Sequence, residues 1–75
     1  MEIKISENLR RFRKEKNLTQ ESLANMLSIT PQSVSKWERG EGYPDITMLP
    51  SLANCLGVTV DALLGNDLIL AEERI

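Results

Sequence analysis

Ile5, Leu9 and Phe12 stand at i, i+4 and i+7 among charged and polar neighbours. That spacing lines one face of a helix and predicts a first helix beginning near Ser6 and ending near Asn17. Leu23, Ala24 and Leu27 give the inner face of a second helix that Thr19 can cap. After a break at Ser28 and Ile29, Thr30 can cap a third helix with Pro31 at its first position, where the missing N–H removes no helical bond. Gly40 follows as the C′ residue. The stretch "EGYP" reads as a loop. Pro50 belongs in the first turn of a fourth helix, which favours Thr47 over Asp45 as its cap, with any earlier turn short or 3₁₀. Leu49, Leu52, Ala53 and Leu56 form its inner face and Gly57 stops it. Thr59 starts a brief fifth helix through Val60, Leu63 and Leu64, and Gly65 closes it.

Five short helices suit the composition. The chain has 75 residues, enough for one domain and no second core, and 41% of them are hydrophobic with only three aromatics. The core must come from Leu, Ile, Val and Ala, as in a small all-α protein. Cys55 is the single cysteine, so no internal disulfide forms, and histidine is absent. The usual nitrogen ligand and the commonest neutral-pH base are therefore missing, and neither a metal site, a cofactor nor catalysis is expected. No charged-then-apolar leader opens the chain and no apolar run approaches the roughly 18 residues of a membrane span. A cytoplasmic protein with no membrane partner is the expectation.

The net charge of −2 changes meaning when it is divided along the chain. Residues 1 to 40 carry eight Lys or Arg against five acids, whereas residues 41 to 75 carry Arg74 against six. A positive half can meet phosphates while an acidic half is kept off them. The plainer reading of Arg10 to Lys16 is a solvated helix face.

The third helix resolves into two faces on a wheel of about 100° per residue. With Gln32 at zero, Lys36 falls at about 40° and Arg39 at about −20°, with Ser33 and Ser35 flanking them. Val34 and Trp37 lie opposite, at about 200° and 140°. Gln, Ser and Lys along one line are side chains that can hydrogen-bond base edges. Any surface helix is polar outside, however, so position matters: two helices separated by about three residues, Ser28 to Thr30, have helix-turn-helix length.

The segment "LTQESLANMLSITPQSVSKWERGEGYPDITMLPSLANCLGVTVDALLG" resembles the lambda-repressor-like, Cro-type helix-turn-helix family, also called the xenobiotic-response-element family. The resemblance covers Leu9 to Gly65 and rests on "LTQ", "LA", "SVSKWERG", the loop proline, "LA..LGV" and "LLG" in combination. It implies a compact five-helix domain over residues 1–65 that binds double-stranded DNA as a transcriptional regulator, a repressor or an activator, usually as a homodimer on a palindromic operator.

Carried across by position, Pro31, Gln32, Ser33 and Lys36 match the base-facing places, with Pro31 limited to apolar contact such as a thymine methyl. Gln20 matches a phosphate-contacting glutamine, and Thr30, Ser35 and Arg39 are assigned to the DNA backbone. Tyr43 has two readings, a phosphate contact or loop packing. Ser28 replaces a glycine common at the break, and Tyr43, Pro44, Asp45 and Ile46 stand where some relatives place a minor-groove arginine, so none is expected from that loop.

Glu38 sits at about 240° on the same wheel, toward the buried side, where an unpaired carboxylate is costly. Arg13 is its expected partner, and the family has an arginine and a glutamate paired at the matching places. Trp37 is read as core, with an indole contact to DNA sugar or phosphate as the alternative, and Cys55 as a small buried hydrophobe. The end, residues 66–75, "NDLILAEERI", is either a dimer contact or a linker to a sensor domain or partner protein. The competing function is the same fold used for protein contacts alone.

Overall fold

Thr19, Thr30 and Thr59 each hold extended backbone and accept a hydrogen bond from the N–H three residues on, at Ser22, Ser33 and Ala62. These three caps set where three of the helices begin. The computed structural model describes residues 4–65, so the two readings of residues 66–75 lie outside the described residues. Within them run α1 (Ile5–Glu15), α2 (Gln20–Leu27), α3 (Pro31–Glu38), a 3₁₀ turn (Ile46–Met48), α4 (Leu49–Leu56) and α5 (Val60–Leu64). All are helical, as the hydrophobic spacing requires.

The start of α4 corrects the expected cap. Thr47 does not cap it. Asp45 accepts from the Thr47 N–H and closes the 3₁₀ turn, and α4 then begins from Met48, which makes no side-chain cap. A short acceptor two residues before Thr47 takes up the N–H first, so Thr47 falls inside the turn. Pro50 remains in the first turn of α4.

The helices end alike. Ser28, Gly40 and Gly57 have φ of 59°, 75° and 70°, and Asn17 at the close of α1 has 58°. In each case the next N–H reaches back five residues, as from Ile29 to Ala24 and Glu41 to Lys36, both at 2.9 Å. These are Schellman closures that satisfy the last carbonyls. Ser28 adopts the left-handed conformation that the missing glycine leaves to it.

Leu9, Leu23, Val34, Leu52, Leu56 and Leu63 are fully buried, joined by Ile5, Ala24, Trp37 and Ala53. α3 packs on both α1 and α2, while α4 bridges α2 and α5. Asn8 ties the far end by donating to the carbonyl of Leu63 at 3.1 Å. Only one face of α3 is spent on the core, which leaves its other face outward. Cys55 is half-buried against this core rather than enclosed by it.

Candidate nucleic-acid interface

α3 buries Val34, Trp37 and Glu38. Gln32, Lys36 and Arg39 are exposed on its other side, with Pro31, Ser33 and Ser35 partly so. The break between α2 and α3 is the three residues 28–30, so the two helices are held at a fixed angle by a short turn and by their shared apolar contacts. Gln32 and Lys36 are one turn apart and form the middle of the exposed row.

Several of the polar side chains already have partners. The Thr30 and Ser33 hydroxyls lie 3.1 Å apart and Thr30 Oγ1 also accepts the Ser33 N–H, so Ser33 belongs to the cap of its own helix. Arg39 donates to the Ser35 hydroxyl. It also makes a two-pronged ion pair with Glu41, each N···O distance being 3.0 Å. That pairing holds the Glu41 carboxyl below its ordinary pKa, chiefly through the Arg39 hydrogen bond. Neither residue type nor helical period assigns Glu41 a role; the signal that could is the turn at Gly40, which brings positions 39 and 41 together.

Arg13 and Glu38 meet in the interior. Arg13 Nε donates to Glu38 Oε2 at 2.6 Å and Nη2 to Oε1 at 3.0 Å, a fork-to-fork pair, while Nη1 reaches the Leu18 carbonyl at 2.7 Å. One guanidinium thus fastens α1, the α1–α2 loop and α3. Gln20 Nε2 donates to Glu38 Oε1 at 3.1 Å, and Arg10 Nε lies 3.9 Å from the same oxygen. Neither contact is visible in the sequence, since a half-buried amide and an exposed arginine each have many acceptable partners.

Burial pushes the Glu38 carboxyl up, but hydrogen bonds from Arg13 and Gln20 and the charges of Arg13 and Arg10 outweigh it, leaving its pKa below the ordinary glutamate value. A depressed carboxyl stabilises the fold above its unfolded pKa of about 4.3 and loses that contribution as pH falls through the lower folded value. The melting temperature should therefore hold from neutrality to about pH 5 and drop below about pH 4. Glu38→Gln should flatten the acid limb in thermal melts run as a pH series; equal acid limbs in the two proteins would remove Glu38 from that account.

Tyr43 and Ile46 are 69% and 77% exposed, and they border a groove of about 280 Å³ lined also by Ile5, Pro44, Leu49 and Leu64. Tyr43 therefore lies on an apolar surface shared with the starts of α1 and α4 and the end of α5. A second groove, of about 380 Å³, runs between the end of α2 and α4 and includes Met26, Ser28, Met48 and Cys55. Among the described residues no group of three or more His, Cys, Asp or Glu side chains could hold a metal ion. No helix among them is long and apolar enough to cross a membrane.

The same arrangement recurs in known proteins. The transcriptional activator BcrR of Enterococcus faecalis is 42% identical over 72 residues, covering 95% of this chain and 35% of BcrR. The P22 c2 repressor, solved in complex with the synthetic operator 9T, superposes with a TM-score of 0.77 at 31% identity over 81% of this chain and 92% of that one. Hydroxypropylphosphonic acid epoxidase from Streptomyces wedmorensis superposes with a TM-score of 0.75 at 34% identity over 80% of this chain and 32% of the enzyme. This chain spans about a third of the length of BcrR and of the epoxidase, and most of the P22 c2 domain. The helix-turn-helix family profile matches residues 9–63, from the middle of α1 into α5. With the turn at residues 28–30 and the outward face of α3 at its centre, this chain belongs to the lambda-repressor-like helix-turn-helix family.

Proposed function

We propose that this chain is the DNA-binding domain of a transcriptional regulator, with α3 entering the major groove of double-stranded DNA. The observation that carries the reading is the division of α3: Gln32 and Lys36 are exposed while Val34, Trp37 and Glu38 are buried, so the outward row rides on a fixed support. Gln32 pairs with adenine and Lys36 with guanine, Ser33 adds a hydroxyl, and Pro31 offers apolar contact. Gln20, Thr30, Ser35, Arg39 and Tyr43 are assigned to sugar and phosphate, which set register without reading sequence. Arg39 reaches a phosphate by exchanging Glu41 for it.

Residues 1–65 form the binding domain on this reading, and residues 66–75 extend a dimer contact or lead to a further domain. The apolar surface around Tyr43, Ile46 and Leu64 supports a homodimer on a palindromic operator. Repression by occupying the operator is the proposed mode, in the cytoplasm and on the nucleoid when bound. The domain itself is proposed to be non-catalytic.

The competing reading, a fold used for protein contacts alone, draws on the epoxidase, where the same module forms about a third of an enzyme. Selection of bound duplexes from a random pool at two salt concentrations separates the two. An enriched palindrome bound more tightly at low salt supports a DNA reader, and absence of binding at both concentrations supports the protein module. Gln32→Ala and Lys36→Ala should each relax preference at one base position by about 1–3 kcal/mol, measured by competition between matched and mismatched duplexes.

A further inference from the structure

We infer that Glu38 is a positioning residue for DNA binding: its carboxylate aims the Gln20 amide so that a remaining N–H faces a phosphate. The inference deepens the proposed function and rests on it. A carboxylate can only accept hydrogen bonds, so the Gln20 side chain must turn its nitrogen, not its oxygen, toward Glu38 Oε1, and it does so at 3.1 Å. The carboxylate is itself held from the other side by Arg13, at 2.6 and 3.0 Å, and its side chain is 1% exposed. It cannot swing away to suit Gln20; Gln20 must conform to it.

That constraint matters because a glutamine amide has two opposite ends. An unrestrained Gln20 would present its oxygen to a phosphate in part of its rotamers, an acceptor facing an acceptor. With one Nε2 hydrogen on Glu38, the nitrogen end is fixed at the opening of α2 and its second hydrogen has no partner among the described residues. The long side chain is thus ordered before DNA arrives, and binding loses less conformational entropy in making the contact. The order runs from Arg13 to Glu38 to Gln20, so a residue on α1 with no contact to DNA governs a phosphate contact on α2.

The test is a double-mutant cycle of Gln20→Ala and Glu38→Gln, read by affinity for the duplex enriched in the selection, at a temperature where circular dichroism shows every variant folded. Glu38→Gln removes the charge and one of the two acceptor oxygens, so the Arg13 fork and the Gln20 amide compete for the one that remains and the hold on Gln20 is weakened. If Glu38 acts through Gln20, each single change weakens binding by about fivefold and the double change is no weaker than either, as expected for one lost hydrogen bond. Thermal stability should fall on Glu38→Gln in both backgrounds, because Arg13 loses one of its two acceptor oxygens in each. Additive losses of affinity would overturn the inference while leaving the DNA-binding reading intact; a wild-type chain that binds no duplex would overturn both. Should Glu38→Gln fail to fold, side-chain amide relaxation of the free wild-type protein decides: Gln20 must be markedly more rigid than the exposed Gln32. Equal mobility of the two amides overturns the inference.

Discussion

Arg13→Ala should cost about 3–5 kcal/mol of folding stability, measured by urea or thermal unfolding followed by circular dichroism. The guanidinium provides three of the hydrogen bonds described above, two to Glu38 and one to the Leu18 carbonyl. Removing it leaves a buried carboxylate, its side chain 1% exposed, with only the Gln20 amide and the more distant Arg10 to compensate it. A domain of 75 residues has a total stability of about 4–11 kcal/mol, so the loss takes a large share of it and the variant should melt well below the wild type. Most of this cost is the stranded charge rather than the worth of the pair. The double change Arg13→Met with Glu38→Leu should therefore recover most of the loss. A single-mutant loss below about 1 kcal/mol would mean that the pair behaves as a solvated surface bridge.

Trp37→Ala should be comparably severe, at about 3–5 kcal/mol, because it empties the largest side chain from beneath α3. Trp37 is 9% exposed and packs into the same cluster as Leu9, Leu23 and Val34. Its effect on DNA binding should be indirect. At low temperature, where the variant is folded, matched and mismatched duplexes should lose affinity by the same factor, since the exposed row of Gln32 and Lys36 is intact but poorly held. A change in which base is preferred would show that the indole itself touches the DNA. Trp37→Phe keeps most of the volume and should recover most of the stability.

Much of α3 is legible in the order of its residues. A helical wheel depends only on the period, and Val34, Trp37 and Glu38 fall inside as it requires. The threonine caps are legible for a similar reason: an N-cap needs one side chain and an N–H three residues away. The start of α4 is less so, because Asp45 and Thr47 both offer a cap and only backbone geometry decides which N–H is taken first. Pairing Glu38 with Arg13 is within reach because a carboxylate on a buried face demands a cation. Gln20 is not, since an amide on a half-buried helix start has many acceptable partners and nothing in its neighbours points to residue 38. Arg39 reads as an available cation, whereas the turn at Gly40 returns the chain far enough for Glu41 to occupy it.

That last pairing bears on how many ions leave when DNA is bound. An arginine meeting a phosphate ordinarily displaces a small cation from the duplex, and the entropy of its dilution drives association. Arg39 brings its own anion, anchored two residues along the chain and unable to diffuse away. If Arg39 turns to a phosphate as proposed, Glu41 stays beside it, opposing the contact and retaining a cation that would otherwise be freed. Counting exposed lysines and arginines would thus overstate the ions displaced, and the end of α3 contributes more to orientation than to the entropic pull toward DNA.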